Sequence, residues 1–164
     1  MKVKNPEDLF ANIIKNLYSA ETMLERELPK IAKKATNKDL AKGLEAHVQV
    51  TSKQKERLEQ IADTLGITPR GKKSIAMEGI LQELESDLQE VPQGELLDPD
   101  LIIAAQKAEH YEIAAYGSAC AMAKAMGNEK VLNLLLKTLE EEKAQDMKLS
   151  ELAESYINQK ALHM

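Results

Sequence analysis

Four long stretches of this chain carry apolar residues at spacings of three and four, and each breaks that pattern with polar side chains near its middle. The spacing marks helices with one buried face, so the chain has to pack helices around an interior that holds a polar layer. The first seam reads Leu9, Ile13, Leu17, Glu21, Leu24, Leu28 and Ile31. The second reads Leu40, Leu44, His47, Thr51, Gln54, Leu58, Ile61 and Leu65. A third runs Ile102, Ala105, Glu109, Glu112, Tyr116, Ala119 and Ala123, and a fourth runs Leu132, Leu135, Leu139, Glu142, Asp146, Leu149, Ala153 and Tyr156.

Capping residues set the expected boundaries at about 6–35, 37–65, 74–90, 99–126 and 129–158, the 74–90 helix being about half the length of the others. Pro6 suits a first turn, Thr36 or Asn37 an N-cap, and Gly66 and Gly127 left-handed helix ends. Asp98 before Pro99 reads as the N-cap of the fourth helix, and Asn128 as that of the fifth. Pro29 predicts a kink or short break near residues 25–29. The tail through His163 is expected to fray. Residues 1–164 suit a single all-α domain, a four-helix bundle with an additional short helix in its crossover connection. The connection from Gly66 to Asp98 is long enough to travel back along the bundle, so the second and fourth helices are free to run parallel.

Composition narrows the function. A net charge of −5 with Lys and Glu interspersed gives no positive field for nucleic acid. No apolar run is long enough to span a membrane, and Pro6, Glu7 and Asp8 stand where a signal peptide would be apolar. The lone Cys120, between alanines, is expected to pack as a small apolar residue and fits a reducing cytoplasm.

The polar interruptions fall at similar heights. Glu21 lies about 14 residues from the start of its helix and Thr51 about 14 from the end of the next, each roughly 21 Å from a terminus. Glu112 and Glu142 sit at comparable heights in their helices. Five carboxylates brought into one apolar layer repel each other and lose hydration, at a cost of several kcal/mol per unpaired ion. No Lys or Arg stands on the seams, and His47 alone cannot neutralise five acids. Cations are the economical compensation, and oxygen-rich ligation suits iron or manganese, one or two ions. The candidate ligands are Glu21, His47, Glu109, Glu112, Glu142 and Asp146. The competing reading has some of these acids protonated or facing a solvent-filled groove, His47 and Tyr116 as core residues, and the bundle as a metal-free structural or interaction protein. His110 and His163 lie off the seams. Leu132, Leu134, Leu135 and Leu136 span more than one helix face and call for cover by the short helix or a second subunit.

The segments Tyr18-Ser19-Ala20-Glu21, Ala76-Met77-Glu78-Gly79, Glu109-His110-Tyr111-Glu112-Ile113-Ala114-Ala115-Tyr116-Gly117 and Leu139-Glu140-Glu141-Glu142-Lys143-Ala144-Gln145-Asp146 together resemble the YciE/YciF family of bacterial ferritin-like stress proteins, most closely its YciF branch. The resemblance covers nearly the whole chain. It implies a rubrerythrin-like, ferritin-like fold, homodimers, a role under general or osmotic stress, and a di-iron centre on Glu21, Glu109, Glu112, Glu142 and Asp146. The chain departs from the family where Val50 replaces a common Glu, which removes one bridging carboxylate and leaves His47 or Gln54 as partial substitutes.

Overall fold

The computed structural model describes residues 2–163, so the outermost residues of the expected 1–164 unit lie outside it. Its helices are α1 (Pro6–Ala32), α2 (Lys38–Leu65), the short α3 (Ile75–Glu90), α4 (Leu97–Ala125), α5 (Glu129–Leu152) and, after a π-helical turn at Ala153–Ile157, α6 (Asn158–Leu162). The caps are largely those that the sequence predicts. Asn37 accepts from the Asp39 and Leu40 amides and Asn128 from Val131, while Ser74, expected as the first residue of the short helix, caps it instead by accepting from Met77. Gly66 and Gly127 adopt φ of 66° and 68°, the left-handed region that a side chain disfavours.

α1 packs along α2 and α4 along α5, and the two hairpins meet through α2 with α5 and α1 with α4. Asp98, in the first turn of α4, accepts from the backbone amides of Thr36 (2.7 Å) and Asn37 (2.8 Å), which begin α2. α2 and α4 therefore start at the same end and run parallel, the ferritin-like arrangement. α3 makes the return journey, packed on α4 and α1. Its start is tied to both, since Ser74 N donates to Ser19 Oγ at 2.9 Å and the Ser74 hydroxyl pairs with Tyr111 Oη at 2.9 Å. No helix among the described residues is long and apolar enough to cross a membrane.

Four details differ from expectation. α1 continues unbroken through Pro29 and stops at Ala32, because one missing amide removes a single rung near the helix end. α4 begins at Leu97, so Asp98 is no N-cap of its own helix; its carboxylate binds the α1–α2 connection. Leu9 is exposed, and Phe10 and Ile14 fill the core one position later, the larger aromatic taking the buried phase. The π-helical turn adds a residue to one turn of the last helix, so Ile157 faces the core and Tyr156 faces out. The final helix then continues to Leu162. Cys120 is buried, as its neighbours predict.

The buried apolar residues fall into two clusters. One, at the α4 N-terminal end, includes Leu28, Leu44, Leu84 and Leu101; the other, at the opposite end, includes Phe10, Leu58, Tyr116 and Leu135. The acidic layer separates them. Within the leucine run, Leu135 is buried, Leu132 and Leu134 are half-buried, and Leu136 is exposed.

Because Asp98 is itself buried and satisfies two amides, Asp98→Ala strands both donors and is expected to cost about 3 kcal/mol in chemical denaturation. Asp98→Asn, which keeps one acceptor, should cost less. A loss below about 0.5 kcal/mol for the alanine variant would remove Asp98 from this role.

Candidate metal centre

One residue in every third or fourth position of each long helix faces the bundle axis, and at mid-height those positions are Glu21 on α1, His47, Thr51 and Gln54 on α2, Glu109, Glu112 and Tyr116 on α4, and Glu142 on α5. All are buried. His47, Glu109 and Glu142 each offer a ligand atom within 4.8 Å of the others, and His47 Nε2 lies 3.3 Å from Glu109 Oε1.

Neutral donors hold two of the carboxyls. Tyr116 Oη donates to Glu21 Oε1, and Gln54 Nε2 donates to Glu142 Oε1. That leaves Glu21 Oε2, Glu109 Oε2, both oxygens of Glu112, Glu142 Oε2 and His47 Nε2 without hydrogen-bond partners among the described residues. Buried polar atoms are almost always satisfied, so a cluster of orphans on one level marks a missing partner.

Burial pushes the carboxyls of Glu21, Glu109 and Glu112 well above the ordinary carboxylate range. The next largest influence is Glu142 for Glu21 and Glu109, and the charge of Glu21 for Glu112. Glu142 is the hub. It acts electrostatically on Glu21, Glu109, Glu112 and His47. Burial lowers the basicity of His47, keeping its imidazole neutral and its lone pair free for a metal. Burial, then the charge of Glu21, raises Tyr116, which stays a phenol and a donor.

Asp146, the remaining sequence candidate, is not drawn into the layer. It stands one turn beyond Glu142, partly exposed, accepting from Gln106 Nε2 at 3.0 Å and pairing with His110 Nε2 at 3.1 Å. The expected five-carboxylate belt is thus four buried carboxyls with Asp146 at its rim. His110 is exposed, and so is His163. Val50 is half-buried beside Thr51, whose own hydroxyl is among the unpartnered atoms.

The seam reading missed Arg57. It is buried on α2, three residues after Gln54, and forks onto Glu141 of α5 with contacts of 2.6 and 2.8 Å while also reaching Thr138 Oγ1 at 3.1 Å. Gln54 also donates to Glu141 at 3.3 Å. This clamp closes the α2–α5 side of the layer, and Arg57 lowers the affinity of Glu21 for its proton. Its one sequence signal was a basic residue a helical turn beyond Gln54, next to the buried Leu58.

Residues 5–162 match the family described as Domain of unknown function (DUF892). The chain belongs to that family. It is 40% identical over 162 residues to Protein YciF of Escherichia coli K12, covering 98% of both chains. The crystal structure of the E. coli stress protein YciF superposes with a TM-score of 0.90 at 39% identity, covering 95% of this chain and 99% of that one. YcfI of Rhodopseudomonas palustris gives 0.88 at 37% identity, over 91% and 95% of the two chains. The resemblance to the YciF family is thereby confirmed, and with it the ferritin-like bundle.

The raised carboxyls set the pH dependence of the metal-free protein. A group whose pKa is higher folded than unfolded stabilises fully below its unfolded value, about 4.3 for Glu, and loses that contribution as pH rises through the folded value. Glu21, Glu109 and Glu112 therefore weaken the metal-free fold as pH rises toward neutrality. His47, lowered by burial, acts in the opposite sense below about pH 6.5, one proton against three. Glu25 and Glu27, held low by Lys55 and Lys30, act only below the carboxylate range. Melting temperature without metal should fall as pH rises above the ordinary carboxylate range, and Glu112→Gln should raise it at neutral pH. A flat profile, with the glutamine variant less stable, contradicts the assignment.

Proposed function

We propose that this chain binds one or two iron or manganese ions in the layer formed by Glu21, His47, Glu109, Glu112 and Glu142, and serves as a metal-binding protein of the bacterial stress response. The observation that carries the reading is the set of unpartnered buried oxygens on Glu21, Glu109, Glu112 and Glu142 facing a neutral His47. Hard oxygen donors with one imidazole fit either metal, and cation charge removes the mutual repulsion of the carboxylates. The likeness to the E. coli stress protein YciF supports the physiological setting.

The chain's own residues divide the work. His47, Glu109 and Glu142 make the tightest set and are assigned the first ion. Glu21 and Glu112, with their free oxygens, are assigned the second position, and Glu142, coupled to both sets, is the residue suited to serve the two. Tyr116 and Gln54 each hold one oxygen of their glutamate, which fixes the other for ligation. Asp146 and His110 remain at the rim. When bound, iron supplies a redox couple able to pass electrons to oxygen or peroxide.

A second reading, a metal-free bundle whose layer is held by shared protons, draws on the hydrogen bonds from Gln54 and Tyr116 and on Val50 in place of a carboxylate. The two readings separate on addition of metal. Anaerobic ferrous or manganous ion should raise the melting temperature of stripped protein by mass action, about 2.7 kcal/mol at a hundredfold excess over Kd. Glu142→Ala and Glu112→Ala should abolish that gain while circular dichroism stays helical. An unchanged melting temperature establishes the metal-free reading.

A further inference from the structure

α3 is fastened to α1 at its start and leaves an open groove beside it from there on. Ser74 binds Ser19 at mid-height of α1, and both helices then run to the end of the bundle where Asp98 joins α4 to the α1–α2 connection. The groove between them measures about 580 Å³ and follows α1 from Met23 to Lys34, roughly 16 Å. Its floor is apolar: Ile31 and Leu84 are buried, while Met23, Leu81 and Leu88 stay half-buried. The walls carry opposite charge. Arg26, Lys30 and Lys34, at steps of one turn, line the α1 side, and Glu78 and Glu85, two turns apart, line the α3 side. The two rows do not reach each other. Arg26 and Lys30 both turn to Glu27 on their own helix, Glu78 pairs with Lys73 just before α3, and Lys34 and Glu85 have no ion-pair partner among the described residues.

A cation row and a carboxylate row on either side of a hydrocarbon floor are complementary to a body that is apolar beneath, acidic on one flank and basic on the other. An amphipathic helix has that build, with apolar residues at i, i+3 and i+7 turned down and charged positions on its flanks. A long-chain carboxylate does not, because its single charge would answer α1 and leave hydrocarbon desolvating Glu78 and Glu85. We infer that the groove between α1 and α3 docks an amphipathic helix of a partner protein, about three turns long, with Asp or Glu along the edge toward α1 and Lys or Arg along the edge toward α3. The apolar floor supplies the affinity, and the charged walls set which way round the helix lies. None of the acidic-layer residues lines the groove, so docking needs no metal.

The probe is a fluorescein-labelled peptide cross-linked into a helix, with leucine at i, i+3 and i+7, glutamate along one edge and lysine along the other. Titrated into the full chain and read by anisotropy, it should bind saturably and more weakly as salt rises. The double variant Lys30→Glu/Lys34→Glu, which reverses exposed charges on one wall, should bind it about tenfold more weakly. That variant should in turn prefer a peptide with lysine along both edges, a rescue that a merely unfolded protein cannot give. Leu81→Asp, or Leu88→Asp farther along the floor, should remove binding of either peptide while circular dichroism stays helical. No saturation at about 1 mM peptide overturns the inference, as does an affinity indifferent to the lysine reversals. So does a dimer in sedimentation that Leu81→Asp separates, since the groove then belongs to a second copy of the chain.

Discussion

Four carboxyl groups enclosed in one layer of an otherwise hydrocarbon interior repel each other, and the fold is organised around what offsets that repulsion. Each helix of the bundle faces the layer with a side chain suited to the problem. α2 supplies no acid there, only His47, Thr51 and Gln54, so it offers a lone pair, a hydroxyl and an amide to the acids on the other three helices. Tyr116 and Gln54 satisfy one oxygen each, and the Arg57–Glu141 fork spends its charge at the edge of the layer. What they leave is a set of free oxygens around Glu142 whose charge calls for protons or cations. At neutral pH, protons on buried acids come at the expense of stability, which makes a cation the more effective partner.

The rest of the bundle keeps this layer level and dry. The Asp98 carboxylate fastens the start of α4 to the start of α2, which fixes the parallel pair and so the height of Glu109 and Glu112 against His47. Leucine-rich packing above and below excludes water from the layer. α3 covers α1 and α4 on one side, and Tyr111 ties its N-cap Ser74 to the bundle, also accepting from Asn16 Nδ2 at 2.9 Å.

Much of this was legible in the amino-acid order. A helix repeats on a fixed period, so an acid such as Glu21 or Glu142 standing in a leucine row has to be inside, and the caps at Asn37 and Asn128 mark where rows begin. The misreadings arise where the period alone is ambiguous. Leu9 and Phe10 both continue an i+4 row, and side-chain size decides between them. Tyr156 lost its place to Ile157 through a π-helical turn that no residue type announces. Asp146 continues the row of Glu142, but at that level Gln106 and His110 of α4 face it with polar groups, so it stays at the surface. Arg57 was missed because a long cation beside a leucine reads as a solvated residue; its burial depends on Glu141 across the α2–α5 seam, a contact that only the tertiary structure reveals.

The central claim, that the acidic layer is a metal site, is tested most directly by anomalous diffraction at the iron and manganese absorption edges from crystals grown with each ion. The account predicts a peak bounded by His47, Glu109 and Glu142, with their free oxygens and nitrogen turned to it. Metal-grown crystals with no peak in the layer, and with Glu142 hydrogen-bonded to protonated Glu109 and Glu112, would contradict it.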